Sequence, residues 1–192
     1  MVDRRKVRDS ALIDTLDDSK RIPFEGRVYR VIRDGRDPLR SSAPGGRWDD
    51  GTFEVLYTSR EADGAIAEIY FHLMRGQPVF PSKVRFQLYE IHVEPLNAIK
   101  LDLTLLEKLG VTAENYGRLN YLRRQSEYAR TQEISEVAHF LGADGLIVPS
   151  ARWPCENVVL FSGHIPPDAI TIISEPVDIE SATWKRIATR TR

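Results

Sequence analysis

The chain has 192 residues, of which 42% are hydrophobic, enough for one sizeable core and too few for two ordinary domains. The 27 Lys and Arg residues almost balance the 28 Asp and Glu residues, and the formal net charge of −1 excludes a strong overall field that would attract nucleic acid or an anionic membrane. Cys155 is the only cysteine, which excludes an intramolecular disulfide and a zinc site built on paired thiolates.

The amino-terminal sequence lacks the apolar stretch of a secretory signal, and no run approaches the roughly 18 apolar residues of a membrane-spanning helix. We therefore expect a cytoplasmic protein with no membrane partner and no direct specific binding of nucleic acid. The basic residues Arg4, Arg5, Lys6 and Arg8 could form an arm for nucleic acid, but we interpret them as part of a solvated tail. Residues 1–25 are predicted to be this tail and a lead-in, and residues 26–192 a single domain.

The first half of the chain predicts two strands, a loop and a helix. Residues 27–32 and 53–58 are rich in β-formers, and residues 41–51, which read SSAPGGRWDDG, predict the loop between them. Ser59 is placed to cap the helix that follows. That helix is the clearest element, because six apolar residues recur at helical spacing. They are Ala62, Ala65, Ile66, Ile69, Tyr70 and Leu73.

The second half predicts a long strand at residues 84–93. Its apolar positions change from even to odd numbers, which a bulge or burial on both faces would explain. Two helices, three short strands and a closing helix follow, at residues 101–109, 126–141, 145–148, 158–161, 170–173 and 178–189. Because strands outnumber helices and the helices do not alternate with every strand, the sequence predicts an α+β fold rather than a doubly wound one.

Several common catalytic signatures are absent from the sequence. It contains no GxGxxG after a strand, no GxxxxGK[ST], no HExxH and no GxSxG. The four histidines are scattered along the chain, so we interpret them as structural or surface residues and predict no metal site. They are His72, His92, His139 and His164.

The loop sequence GGRWDDG carries the first candidate binding residue. Paired glycines let a backbone approach a ligand closely, and the guanidinium of Arg47 can grip phosphate oxygens in bidentate fashion. The same sequence also fits a simple turn in which Arg47 forms a surface salt bridge with Asp49 or Asp50. The residues alone leave these two interpretations open.

Three further polar residues are candidates, each with an ordinary alternative. Glu68 lies on the predicted helix about 120° from the centre of its apolar stripe, where it can point into a cleft or simply be solvated. Ser150 follows a buried-looking strand and can hold a ligand or begin a turn after Pro149. Tyr57 ends another strand and suits either stacking on a heterocycle or core packing.

Taken together, these residues resemble the RES domain, whose name records an arginine, a glutamate and a serine. The resemblance extends from about Gly26 to about His164 and is carried by seven motifs in family order. They are VYRV, DPL, GGRW, VLYTS, AIAEIYFHL, GADGLIVPSAR and NVVLF. Asp49 departs from the pattern, because many members carry asparagine there.

The resemblance implies an ADP-ribosyltransferase-like fold, with split β-sheets and flanking helices around a cleft for NAD+, and makes residues 26–192 a RES-type catalytic domain. By the same resemblance Arg47, Glu68 and Ser150 are the catalytic residues, and Arg30 and Tyr57 bind substrate. Glu68 would stabilise the positive charge that develops on the ribose when nicotinamide leaves. The arginines would hold the pyrophosphate, Tyr57 would stack on the nicotinamide ring, and Ser150 would position the ribose or the nicotinamide amide.

The implied activity is that of a toxin from a toxin-antitoxin pair that degrades NAD+ by phosphorolysis or hydrolysis. NAD+ is then the substrate, inorganic phosphate is a candidate co-substrate, and no cofactor or metal is required. The implied partner is a cognate antitoxin, an Xre-like helix-turn-helix protein. Two alternatives stay open: a mono-ADP-ribosyltransferase that modifies a target protein, and a catalytically silent partner-binding module.

Overall fold

The structure, a computed structural model, describes residues 8–74, 83–112, 116–117 and 125–190. Its helices are α1 (Ser10–Asp17), α2 (Ala62–Met74), α3 (Leu103–Lys108), α4 (Gln125–Phe140) and α5 (Ser181–Arg190). Its strands are β1 (Arg21–Arg33), β2 (Val55–Ser59), β3 (Phe86–Lys100), β4 (Gly145–Pro149), β5 (Glu156–Phe161), β6 (Ile170–Ile172) and β7 (Val177–Asp178). The predicted α+β class is confirmed. Most strand and helix boundaries lie within three residues of the expected ones, but β1 begins six residues earlier and β3 ends seven residues later, and α1 and β7 were not predicted.

The strands form one hydrogen-bonded sheet that divides into two branches at β3. One edge of β3 pairs with β1 over its length, while the other edge pairs in turn with β7, β6 and the parallel strand β4. From β4 the sheet continues through β5 to β2, and the pairing of Ser59 with Tyr29 brings β2 back to β1. Five strands therefore close into a ring, and β6 and β7 extend the sheet outside it.

The change from even to odd apolar positions in β3 has one of the two causes considered above, which is burial on both faces. Tyr89 and Ile91 face the interior of the ring, while Leu88 packs on the opposite side, so this part of the strand is covered on both faces. A bulge lies further along, because the register with β1 shifts between Phe24 and Gly26. The bulge moves the buried positions back to even numbers, at Leu96 and Ala98.

Among the described residues, three apolar clusters hold the layers together. One fills the ring and includes Val28, Ile91 and Leu160. The second packs α1, α3 and α4 against the outer face of β4, β5 and β2, and the third packs α2 and α5 against β1. Five of the six residues of the predicted α2 stripe lie in the third cluster, where Ala65 and Ile66 are buried. The outer face of the sheet is therefore covered by two separate helical layers.

The stretch expected to be a tail and lead-in contains regular structure. Helix α1 begins after Asp9, whose carboxylate accepts from the backbone N–H groups of the first turn, and it buries Leu12 and Leu16. Arg8 forms a salt bridge with Glu136 on α4. The other basic residues of the cluster, at positions 4–6, lie outside the described residues, and the boundary at residue 26 stays a prediction.

The expected helix cap at Ser59 is wrong by two residues. Ser59 ends β2, where its pairing with Asn157 of β5 keeps the backbone extended, and α2 begins only at Ala62. The Ser59 hydroxyl lies 3.3 Å from the Cys155 thiol and accepts from the Glu61 N–H at 3.4 Å, one residue before the helix begins.

Candidate active site

A cleft of about 1470 Å³ opens on the outer face of the sheet between the layers of α2 and α4. Its walls come from α2, α4, the β1 segment around Arg30, the loop after β1, and the ends of β2 and β5. This volume exceeds the roughly 300–1,000 Å³ of a pocket for a drug-sized ligand. The cleft is therefore large enough for an extended ligand of dinucleotide size.

The GGRW loop is organised by a buried carboxylate. Asp49 is 0% exposed, and its oxygens accept from the backbone N–H groups of Gly45 at 2.7 Å and Gly46 at 2.8 Å and from the Tyr57 hydroxyl at 2.8 Å. Gly45 has a φ of 71°, in the region that favours glycine. A Cβ on Gly46 would lie 2.7 Å from the Tyr57 oxygen, so both glycines are required by the shape of the loop.

The same loop is tied to α4. The Gln132 amide donates to the Gly46 carbonyl at 2.7 Å, and the Ser135 hydroxyl donates to the Trp48 carbonyl at 2.7 Å. Trp48 is buried in the cluster beneath. These contacts place Arg47 at the cleft, where its guanidinium lies 4.8 Å from the centroid of the Tyr116 ring. Aromatic faces favour a cation at this distance and restrict its position.

Tyr57 and Arg30 line the cleft, and both also support its walls. The Tyr57 hydroxyl accepts from the Trp48 N–H at 2.9 Å and donates to Asp49, and burial beside this carboxylate raises the pKa of Tyr57 well above its ordinary value. Arg30 donates through Nη1 to the carbonyls of Pro38 and Arg40, and burial lowers its pKa to about 10. The contact of either residue with a substrate stays a prediction.

Glu68, expected at the edge of the helix stripe, lies on the cleft side of α2 and meets Ser150 there. The Ser150 hydroxyl donates to Glu68 Oε1 at 2.8 Å, although 82 positions separate the two residues. Asn157 on β5 donates through Nδ2 to the same oxygen at 3.0 Å. The structure therefore brings Glu68 and Ser150 into direct contact and adds Asn157, which the sequence analysis did not single out.

Ser150 is held so that its proton points to Glu68. Its oxygen accepts from the backbone N–H groups of Arg152 at 3.2 Å and Trp153 at 3.3 Å. With both acceptor positions occupied, the hydroxyl hydrogen is directed to the carboxylate. The expected direct contact of Ser150 with ribose or nicotinamide stays a prediction. In the structure, the hydrogen bond from Ser150 holds the Glu68 side chain in place.

The cleft is more basic than the chain as a whole. Among the described residues, its lining includes six arginines and only three carboxylates, which are Asp37, Glu54 and Glu68. The formal charge of the whole chain is −1, so positive charge is concentrated at this site. Such a site favours an anionic ligand such as a pyrophosphate.

The four histidines lie in different surroundings. His139 stacks on Phe53 and on His164, with ring centroids 4.5 and 4.1 Å apart, and burial, with His164 nearby, lowers its pKa. His72 lines the cleft, and His92 lies 3.6 Å from Glu94. Within the described ranges, no three His, Cys, Asp or Glu side chains come together as a metal site would require.

No helix of the described chain has both the length and the apolar character needed to cross a membrane.

An α+β fold with a carboxylate held in an arginine-rich cleft is the class of structure that these observations define. The sequence model of the RES domain matches residues 27–185. The chain therefore belongs to the RES domain family, and the match continues beyond His164, where the sequence resemblance was expected to end. No curated protein sequence matches the chain significantly.

A solved structure has the same fold. A chain of the crystal structure of the M. tuberculosis MbcT-MbcA toxin-antitoxin complex superposes with a TM-score of 0.77, at 20% sequence identity, over 94% of this chain and 98% of that one. The predicted ADP-ribosyltransferase-like arrangement is confirmed as the fold of the chain. At this level of identity the comparison supports the fold alone.

Proposed function

We propose that this protein is the toxin of a toxin-antitoxin pair and that it degrades NAD+ by cleaving the bond between nicotinamide and ribose. The observation that carries the proposal is the placement of Glu68, which is held by Ser150 and Asn157 at the wall of a large cleft rich in arginine. Membership of the RES domain family and the fold shared with a chain of a toxin-antitoxin complex support the same proposal.

The proposed chemistry needs only a fixed negative charge and a nucleophile. As the bond from the ribose carbon to nicotinamide breaks, nicotinamide takes the bonding electrons and leaves as a neutral molecule, and the ribose becomes cationic. Glu68 stabilises that cation from the cleft wall. Because the leaving group is already neutral, no general acid is required.

The arginines and aromatic residues supply binding in this proposal. Arg47 is restrained by the Tyr116 and Tyr128 rings, and it contacts the pyrophosphate oxygens of NAD+. Arg30 either binds the same pyrophosphate or supports binding indirectly, by holding the loop whose Pro38 and Arg40 carbonyls accept its hydrogen bonds. The Tyr57 ring forms part of the cleft surface against which the nicotinamide rests.

The acceptor decides the name of the activity. Phosphate attack on the ribose gives ADP-ribose phosphorylated at that carbon, water attack gives ADP-ribose and a proton, and a protein side chain gives a modified target. We propose phosphorolysis or hydrolysis, because NAD+ degradation requires no second protein substrate.

A cognate antitoxin is the proposed partner, and cytoplasm is the proposed compartment. The active-site cleft is the surface that such a partner must cover to protect the host cell, because access of NAD+ to Glu68 is the property to be blocked. We propose that the partner is an Xre-like helix-turn-helix protein, as the family resemblance implies.

Incubation of the purified protein with NAD+, with and without inorganic phosphate, tests the proposal. Mass spectrometry should find free nicotinamide and either ADP-ribose or its phosphorylated form. Addition of a bacterial lysate followed by intact-protein mass spectra detects transfer to a protein. ADP-ribosylated protein without free ADP-ribose would identify a transferase, and a folded protein that leaves NAD+ intact under every condition would refute the enzymatic proposal.

A further inference from the structure

Asn157, the first residue of the NVVLF motif, makes a contact that the sequence did not predict. It lies near the start of β5, where it pairs with Ser59 of β2 and Val148 of β4. Cross-strand partners point to the same face of a sheet, so Asn157 shares the outer face with Tyr57 and Ser150, each of which lies two residues from one of these partners. From this face its Nδ2 reaches Glu68 Oε1 at 3.0 Å.

Two donors from different strand ends converge on one carboxylate oxygen. Glu68 belongs to α2, Ser150 follows β4, and Asn157 belongs to β5, and both donors bind Oε1. A glutamate side chain has three rotatable torsions, and two hydrogen bonds from the rigid sheet restrict them. Oε2 receives no hydrogen bond from the residues that the structure describes, so it is the oxygen left for a ligand in the cleft.

The amide orientation of Asn157 follows from its partner. A carboxylate accepts hydrogen bonds only, so Nδ2 must face Glu68. The Asn157 Oδ1 atom is then buried with no hydrogen-bond partner among the described residues. A buried acceptor without a partner lowers the stability of the fold, and such a group in a native structure calls for an explanation.

We propose that Asn157 is a positioning residue of the active site. It holds Oε1 of Glu68 so that Oε2 faces the reacting ribose carbon, and it acts through Glu68 without exchanging a proton. The catalytic part of this inference rests on the proposed function, in which Glu68 stabilises the cationic ribose. Because displacement of a group by about 1 Å can lower a rate by about 100-fold, loss of this restraint should lower kcat by about 10- to 100-fold.

The first test compares Asn157→Leu with the wild-type protein. The leucine is close in size, cannot donate, and removes the unpaired acceptor, so the Tm should stay within a few degrees of the wild-type value. The kcat for NAD+ should fall by about 10- to 100-fold while KM changes by less than about threefold, because NAD+ binding depends on other residues. Asn97→Leu, on β3 and outside the cleft lining, is the matched control and should leave kcat unchanged.

The second variant, Asn157→Asp, gives a readout that a merely structural residue would not change. Its new carboxyl group can donate to Glu68 only while it is protonated, and once ionised it repels the neighbouring carboxylate. The kcat of this variant should therefore be closest to the wild-type value at acidic pH and should fall as pH rises, a limb absent from the wild-type profile. It also covers the case in which the leucine variant does not fold.

A crystal structure of Asn157→Leu separates this inference from the proposed function. If the wild-type protein leaves NAD+ intact, the proposed function fails, but a Glu68 carboxylate turned away from its wild-type position would still support positioning by Asn157. A Glu68 that keeps its position in a folded variant would overturn the inference, whatever the substrate. Wild-type kcat in both variants, or a loss of kcat only in step with unfolding, would also overturn it.

Discussion

Replacement of Asp49 by asparagine tests how the GGRW loop is held in place. The buried carboxylate accepts hydrogen bonds from Gly45, Gly46 and Tyr57, but an asparagine has only one acceptor oxygen. In its better orientation the amide oxygen takes the Oδ2 position and keeps the bonds from Gly46 and Tyr57. The amide nitrogen then faces the Gly45 N–H, which is at an exposed residue and can turn to water.

The size of the effect follows from this count of hydrogen bonds. A hydrogen bond to a charged group is worth about 1.5–3 kcal/mol, and burial of a neutral amide costs less than burial of a carboxylate. We expect Asp49→Asn to lower the free energy of unfolding by about 1–2 kcal/mol, and Asp49→Ala, which removes every acceptor, by about 3–5 kcal/mol. For a chain of this length, each kcal/mol shifts the Tm by about 2–4 °C.

Scanning calorimetry and NAD+ kinetics measure both consequences. The Tm should fall by about 2–8 °C for the asparagine variant and about 6–20 °C for the alanine variant. KM should rise more than kcat falls, because the displaced loop carries Arg47. Asp34→Asn, at an exposed position outside the cleft lining, is the matched control. Asp49 variants whose Tm and KM both equal those of the wild-type protein would refute this account of the loop.

Three further predictions follow from the geometry of the fold and site. Gly46→Ala should raise KM for NAD+ and lower the Tm, because its Cβ would lie 2.7 Å from the Tyr57 oxygen, whereas Gly163→Ala, whose nearest neighbour is 4.0 Å away, should change neither. The lowered pKa of His139 means that the unfolded chain binds more protons below about pH 6.5. The Tm of the wild-type protein should therefore fall on acidification. Calorimetry of His139→Phe over the same pH series should show a smaller fall in Tm, and an equal fall would exclude His139 as a source of the pH dependence. NAD+ consumption should survive treatment with a chelator, and activity that returns only with a divalent ion would contradict the metal-free chemistry.

The periodic parts of the fold could be predicted from sequence, and the short or context-dependent parts could not. The stripe of α2 was clear because its apolar residues recur at helical spacing, and five of the six pack in the cluster with β1 and α5. Helix α1 was missed because it is only eight residues long, although Asp9 before a Leu12 and Leu16 pair is a helix-start signal. The cap expected at Ser59 failed because the pairing of β2 with β5 extends through that residue.

The candidate site shows the same division. Arg47, Glu68 and Ser150 were found through motif resemblance, yet their spacing along the chain could not show that Ser150 donates to Glu68. Asn157 had a visible signal, because it and Glu156 are polar residues directly before the apolar run of β5. Its partner could not be identified without the register of β5 on β2 and β4. Likewise, Tyr57 was expected at the cleft, but its hydrogen bonds to the loop depend on the fold.

The most direct test of the central claim is the turnover of NAD+ by Glu68→Gln beside the wild-type protein. The glutamine oxygen can still accept from Ser150 and Asn157 at the Oε1 position, so the Tm and the affinity for NAD+ should be nearly unchanged. The lost charge is the one that stabilises the cationic ribose, so kcat should fall by about 100-fold or more. A folded Glu68→Gln that releases nicotinamide at the wild-type rate, or a variant that is inactive only because it unfolds, would contradict the assignment of Glu68 as the catalytic carboxylate.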